Sequence, residues 1–132
     1  VVKGIVQHDE GCFTEPIARS AGDPRKMRAD SAGKPAVTYF TVVKRFSRAT
    51  SLEARIMTGR THQIRVHMAY HSHPVLGDLE YGVRSSYIDR QALHAGSLEL
   101  IHPRTQKGLT FHAPLPEDFQ HLLDKLNAED RR

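Results

Sequence analysis

The sequence predicts an α+β fold in which a mostly antiparallel mixed sheet is flanked by helices. Two observations predict it: two pairs of segments favour β-hairpins, and two other segments carry apolar residues at helical spacing. The chain has 132 residues, enough for one domain or part of one. Its composition, 39% apolar and 26% charged, is ordinary for a globular protein and excludes wholesale disorder.

The first half of the chain is expected to supply strands on either side of a loop. Residues 1–6 indicate a short strand or the end of one, and residues 22–34, rich in Gly, Pro, Ser and charge, predict a loop. Residues 36–46 combine Val, Thr, Tyr and Phe without Gly or Pro, which favours a strand. Apolar and polar residues alternate over 52–56, and the short gap at 47–49 makes these two strands a hairpin.

A helix is predicted over 61–71, where the apolar period lengthens. Ile64 and Met68 fall on one side of it, and Thr61 is placed to cap its start. Pro74 stops the helix, and a loop is expected from there to Gly82.

The C-terminal part predicts a second hairpin and a second helix. Residues 97–101 and 108–112 favour strands, joined through His102-Pro103. The segment 117–126 is typical of an amphipathic helix. Its apolar side carries Phe119, Leu122, Leu123 and Leu126.

Positive charge is concentrated in one stretch. Eleven Lys or Arg and only three Asp or Glu lie between Arg19 and Arg65, whereas the whole chain has a formal net charge of only +4. A basic stretch of this length attracts phosphates, so nucleic acid is the first partner to consider. A solvated basic surface without a specific partner stays open as the alternative.

Several protein classes are excluded or disfavoured. No apolar run approaches the ~20 residues of a membrane-spanning helix. No charged segment followed by an apolar one opens the chain, so no signal peptide is visible. Cys12, the single cysteine, cannot form an internal disulfide. A reducing compartment, the cytoplasm, is therefore expected.

The segment with the most polar functional groups lies where the second strand of the first hairpin meets the first helix. Helix N-termini favour anions, and arginines beside them favour phosphate or a buried carboxylate. The pattern therefore indicates an anion or RNA-backbone site with an active-site arginine, and a polar helix face with solvated charges stays open as the alternative. The candidates are Arg60, Thr61, His62, Gln63, Arg65 and His67.

A metal site is a weaker interpretation of the same segment. His67 and His71 have the i, i+4 spacing of a helical zinc-binding pair, which would suit a metal-dependent hydrolase. No Glu follows the first His, and no cysteine is close. Asp30, Glu53 and Asp78 are the nearby acids, and none stands out as a general acid or base.

The ordered motifs of the chain resemble those of the RluA family of RNA pseudouridine synthases. The central motif is TGRTHQIRVHM at 58–68, followed by HPVLGD at 73–78 and YG at 81–82. GKPAVTYF at 33–40 is similar to the strand before this motif, and FHAPLP at 111–116 to the closing segment. The resemblance covers nearly the whole chain.

This resemblance implies an isomerase that converts uridine to pseudouridine in structured RNA, with ribosomal RNA of the large subunit as the commonest substrate. Such enzymes break the glycosidic bond, turn the uracil and rejoin it through carbon, on a base flipped out of the RNA. The resemblance implies no metal and no cofactor. It assigns to Arg65 the pairing with an essential aspartate, and to Arg60, Thr61, His62, Gln63 and His67 the shaping of the site or contact with RNA.

The essential aspartate itself is not matched in this chain. The resemblance places it in an Arg-Leu-Asp motif in the N-terminal half of the catalytic domain, before Val1. RADSAG at 28–33 only imitates that motif, because it lies in a loop, and Asp78 is interpreted as a structural turn residue. Residues 1–132 are therefore expected to be the C-terminal half of a pseudouridine synthase catalytic domain, inactive alone and partnered by the N-terminal half. A non-catalytic RNA-binding protein of the same fold is the alternative.

Overall fold

Eight strands and two helices make up the part of the chain that the structure, a computed structural model, describes: residues 1–23, 25–82, 84–101 and 108–130. The fold is α+β, as predicted, and the strand pairings within the described residues are all antiparallel. In chain order the elements are β1 (Val2–Lys3), β2 (Glu10–Phe13), β3 (Ile17–Arg19), β4 (Met27–Ala29), β5 (Thr38–Arg45), β6 (Ala49–Ile56), α1 (Gln63–Tyr70), β7 (Ser97–Ile101), β8 (Gly108–His112) and α2 (Glu117–Asp130).

The main sheet has four strands in the order β1-β6-β5-β2. The predicted hairpin forms its centre, and β5 pairs with β6 from Thr38↔Ile56 to Arg45↔Thr50. Side chains alternate along β5, so Phe40 is buried whereas Tyr39 and Thr41 are exposed. The sheet therefore turns one face towards the core and one towards solvent. The β6 end of this hairpin leads directly into α1.

The β3–β4 hairpin places a three-residue strand, Met27–Ala29, inside the loop predicted at 22–34. Strand β4 pairs with β3 in the register Ile17↔Ala29, and Ile17 also bridges Lys34. The composition of 22–34 is that of a loop, but Met27 and Ile17 pack with Val66 of α1 in a small separate cluster. This tertiary packing outweighs the local turn signals. Strands β2 and β3 were not predicted.

The main core lies between the sheet and the helices. Phe119, Leu122 and Leu126 of α2 are buried there with Phe40 and Met68, as the helical spacing predicted. Helix α2 runs one turn further than expected. The strands β7 and β8 have the predicted bounds, whereas the His102-Pro103 connection falls outside the described residues. Neither helix in the described part of the chain is long and apolar enough to cross a membrane.

Candidate active site

Gln63, the first residue of α1, ties this helix to the start of β5. Its Oε1 accepts hydrogen bonds from the Thr58 hydroxyl (2.8 Å) and the Arg60 N–H (3.1 Å). Its Nε2 donates to the Val37 carbonyl (2.9 Å) and the Thr38 hydroxyl (3.0 Å). Every hydrogen-bonding position of the side-chain amide is occupied, so Gln63 fixes α1 in place and has none to offer a substrate.

His67, one turn further along α1, is fully buried and continues this network. Its Nε2 lies 2.8 Å from the Glu15 carbonyl, and its Nδ1 lies 2.8 Å from the Thr38 hydroxyl. A carbonyl only accepts, so Nε2 carries the proton and Nδ1 accepts from Thr38. His67 thus connects α1, β5 and the chain before β3.

His71 does not join His67 in a metal site. Its Nε2 bonds the Glu15 carboxylate at 2.7 Å, and its ring stacks on Phe13. Both ring nitrogens of His67 are taken by other partners. Among the described residues, no group of three or more His, Cys, Asp or Glu could hold a metal ion.

Arg65 lies between Gln63 and His67 in α1 and faces the 78–81 turn. Its Nε and Nη2 donate to Oδ2 and Oδ1 of Asp78, both at 2.8 Å, and Nη2 also donates to Glu80 at 3.1 Å. Asp78 is fully buried, and Arg65 is 8% exposed. This is a two-point ion pair in a fixed plane. Within the described part of the chain, Nη1 of Arg65 has no hydrogen-bond partner.

The pKa values of this pair keep both groups charged. Burial alone would raise the pKa of Asp78, but Arg65 and the N–H groups of Tyr81 and Glu80 outweigh it and hold that pKa below its usual range. The hydrogen bond to Asp78 in turn raises the pKa of Arg65, against the effect of burial. The site therefore contains a permanently charged guanidinium.

Tyr81 covers one face of this guanidinium and links it to the β3–β4 hairpin. The Arg65 Cζ lies 5.0 Å from the Tyr81 ring centroid, within the range of a cation–π contact. The Tyr81 hydroxyl accepts from the Met27 N–H at 2.9 Å and shares a 2.7 Å hydrogen bond with His62 Nδ1. Burial raises the pKa of Tyr81, so this hydroxyl stays protonated.

His62, not Thr61, is the residue that precedes α1, which corrects the predicted cap. Its backbone has φ 54° and ψ 25°, in the left-handed region, and no side chain caps the helix start. Such a conformation is unfavourable for a residue with a Cβ and is concentrated at functional sites. The strained backbone aims the His62 ring at Tyr81.

Two open clefts lie beside this junction. The first, of about 450 Å³, is bordered by residues 59–61 and the β3–β4 hairpin, and its lining includes Lys34, Arg60 and Thr61. The second, of about 400 Å³, is lined by Asp23, Arg25, Lys26, His62 and Glu80. The first cleft carries Arg19, Lys34 and Arg60 without an acidic residue, which suits a polyanion, whereas in the second Asp23 and Glu80 balance Arg25 and Lys26.

The structure brings the predicted residues to one junction but divides their roles. Arg60, Thr61 and His62 line the clefts, whereas Gln63 and His67 are buried and bonded within the protein. For the last two, shaping of the site fits these contacts and direct contact with RNA does not.

The sequence did not reveal the partners of Arg65. Asp78 is a turn residue, as interpreted, since it accepts from the N–H groups of Glu80 and Tyr81. Its ion pair with Arg65 spans 13 positions, and no local pattern indicates it. Asp30 is held in its own turn by the Ala32 N–H and pairs with Arg28.

Comparisons with known proteins point to a single family. The family described as RNA pseudouridylate synthase matches residues 2–70. The RNA pseudouridine synthase YlyB of Bacillus subtilis is 47% identical over 127 residues, which are 96% of this chain and 42% of that protein. The ribosomal large subunit pseudouridine synthase D of Pasteurella multocida is 43% identical over 133 residues, covering 90% of this chain and 41% of that protein.

A solved structure is similar over the same range. Human RNA Pseudouridylate Synthase Domain Containing 1 superposes with a TM-score of 0.78 at 26% identity, covering 98% of this chain and 62% of that one. The chain spans about two fifths of the length of the curated relatives it matches.

Proposed function

Because this chain belongs to the RluA family of RNA pseudouridine synthases, we propose that the complete protein isomerises uridine to pseudouridine in structured RNA. Residues 1–132 contribute the C-terminal half of its catalytic domain, and this half alone is inactive. The N-terminal half of the same domain is its partner and supplies the nucleophilic aspartate, in an Arg-Leu-Asp motif.

The observation that carries the proposal is the arrangement around Arg65. A buried, permanently charged guanidinium bonds to Glu80, which lines the second cleft, and keeps one edge, at Nη1, without a partner among the described residues. A carboxylate that met this edge would be held in its ionised form, because an adjacent positive charge lowers the pKa of an acid. Arg65 is therefore assigned the pairing with the nucleophile.

The two clefts are assigned the contact with RNA. Lys34 and Arg60 border the first cleft, and Arg25 and Lys26 border the second together with His62. Phosphate contacts from such residues position a nucleic acid without reading its sequence. The bases and the target uridine would then be selected by other parts of the complete protein.

Large-subunit ribosomal RNA is the first substrate to test. Relatives from Pasteurella multocida and Haemophilus influenzae, 42–43% identical to this chain, are described as ribosomal large subunit pseudouridine synthases. We place the reaction in the cytoplasm, where this RNA is found. A transfer RNA transcript is the second substrate to test, because transfer RNA is the alternative substrate class.

The test is an isomerisation assay with the purified complete protein and a transcript of large-subunit ribosomal RNA, in which pseudouridine is detected by mass spectrometry. The wild-type protein should form pseudouridine at one or a few positions. Arg65→Ala should lower the single-turnover rate by roughly 100-fold or more, because the nucleophile loses its counter-charge.

Arg48→Ala is the matched control. Arg48 is an exposed arginine at the β5–β6 turn, at the opposite end of the hairpin from Arg60. Its loss should leave the rate within about twofold, as expected for a surface position away from the site. A folded Arg65→Ala protein with wild-type activity would remove the role of Arg65. RNA binding by the wild-type protein without any isomerisation would favour the non-catalytic alternative.

A further inference from the structure

We propose that Asp78 is a positioning residue of the site, which together with Glu80 fixes the guanidinium of Arg65 so that only its Nη1 edge is presented to the nucleophile. This inference rests on the proposed function and deepens it. Asp78 touches neither the RNA nor the reacting atoms, and acts through Arg65.

The first argument is the geometry of the guanidinium. Asp78 takes Nε and one hydrogen of Nη2, and Glu80 takes Nη2 from a second direction. The Tyr81 ring lies against one face. With the Nε–Nη2 edge and one face occupied, an incoming carboxylate meets Arg65 at Nη1, by a single oxygen and from a defined direction. An arginine without these contacts would pair with a carboxylate in several geometries.

The second argument is that Asp78 is itself fixed. Its Oδ1 accepts from the N–H groups of Glu80 (3.1 Å) and Tyr81 (3.2 Å), and its side chain is fully buried. Gly77 before it has φ 76°, a conformation that favours glycine. The turn therefore holds the carboxylate rigidly enough to orient a second group, as a support for a catalytic residue must.

The third argument is charge. Asp78 and Glu80 are two carboxylates against the single positive charge of Arg65, with Tyr81 against its face and His62 behind the Tyr81 hydroxyl. Asp23, Arg25 and Lys26 line the cleft shared by Glu80 and His62. Without the Asp78 charge, less negative charge would offset the positive charge of Arg65. The pKa of a carboxylate bound at Nη1 would therefore fall. The acid limb of the pH–rate profile would then shift to lower pH.

The experiment compares Asp78→Asn with Asp118→Asn in the complete protein. Asp118 makes the same two-point pair with Arg90 (2.9 and 3.1 Å), but on the surface, where neither side chain bonds to Arg65 or Asp78 or lines either cleft. Asp78→Asn should lower the single-turnover rate on the RNA by about 10- to 100-fold and shift the acid limb down by about one pH unit. The RNA Kd should stay within about threefold. Asp118→Asn should change none of these quantities.

The Arg65→Lys background distinguishes positioning from a merely structural role. Lysine keeps the charge but has no fork to orient, so Asp78→Asn should slow this background less than threefold. Full additivity of the two effects, or an unmoved acid limb, would overturn the inference. Inactivity of the wild-type complete protein would instead overturn the proposed function.

Glu80→Ala keeps the inference testable if Asp78→Asn fails to fold. Glu80 is exposed, and its loss removes only the second carboxylate on Nη2. The same acid-limb shift, with a smaller loss of rate of about threefold to tenfold, is expected. A rate and a pH profile equal to those of the wild-type protein would contradict the role of the carboxylate pair.

Discussion

His62 combines a left-handed backbone with a ring that reaches the Tyr81 hydroxyl. Its φ of 54° costs about 1 kcal/mol for a residue with a Cβ. Its Nδ1 bond to Tyr81 recovers about as much. The position therefore stores strain without a net gain in stability, and this is typical of residues that are kept for a site.

We expect His62→Gly to separate stability from activity. Glycine removes the backbone strain but also the bond to Tyr81, so the free energy of unfolding should change by less than about 1 kcal/mol. The isomerisation rate of the complete protein should fall several-fold, because the Tyr81 ring against Arg65 loses one of its two hydroxyl anchors. Urea denaturation and the single-turnover assay measure the two effects.

Ser72→Gly is the control for backbone strain alone. Ser72 has φ 68° and lies after the far end of α1, away from the clefts. Glycine there should stabilise the protein by up to about 1 kcal/mol and leave the rate unchanged. If His62→Gly stabilises the protein as much as Ser72→Gly and keeps the wild-type rate, the His62–Tyr81 hydrogen bond has no part in the site.

The residues of the site were predictable as a group, but their partners were not. The crowding of Arg60, His62 and Arg65 at one junction is visible in the sequence and predicts an anion site. Pairing of Arg65 with Asp78 depends on how the 78–81 turn folds back on α1, which no short-range pattern encodes. The left-handed backbone of His62 is equally hidden, since most such positions are taken by Gly or Asn.

At the scale of elements, periodicity was sufficient where an element is long or regular. The β5–β6 hairpin, the β7 and β8 bounds and the buried side of α2 were all predicted, because strands and amphipathic helices repeat their pattern over several residues. The three-residue strands β3 and β4 have no room for such a pattern. They form because Ile17 and Met27 pack against α1.

The turn at 76–82 is the element whose backbone most constrains the site. Gly77 has φ 76°, and a Cβ at this position would lie 2.1 Å from the Arg90 carbonyl oxygen. Such a contact is impossible without movement of the backbone on which Asp78 depends.

We expect Gly77→Ala to destabilise the complete protein by about 3 kcal/mol or more, from the left-handed backbone and the steric overlap together. Urea denaturation measures the loss. Gly22→Ala is the matched control, because nothing lies within 4 Å of a Cβ there, and it should change stability by less than about 1 kcal/mol. Equal stability of the two variants would contradict the strain assigned to this turn.

At the scale of the whole molecule, the uneven charge of the sequence becomes a feature of one region. The β3–β4 hairpin borders both clefts, residues 59–61 line the first and His62 lines the second, and almost all of these residues belong to the basic stretch. Helix α2, from the acidic remainder of the chain, packs in the main core with Phe40 and Met68. The charge asymmetry was predictable from the sequence. The position of the basic residues around two clefts was not, because it depends on the packing of the β3–β4 hairpin against α1.

This arrangement predicts the salt dependence of RNA binding by the complete protein. Lys34 lines the first cleft and Lys26 the second, and no carboxylate among the described residues forms an ion pair with either ammonium group. If each contacts one phosphate, Lys26→Ala with Lys34→Ala should reduce the slope of log K against log salt by roughly 1.5. Lys125→Ala, on the exposed side of α2, should leave the slope unchanged.

The measurement is a titration of a ribosomal RNA fragment with each variant at salt concentrations from about 50 to about 300 mM. An unchanged slope in the double variant would mean that RNA passes over another face of the molecule, and the clefts would lose their assignment even if Arg65 kept its own.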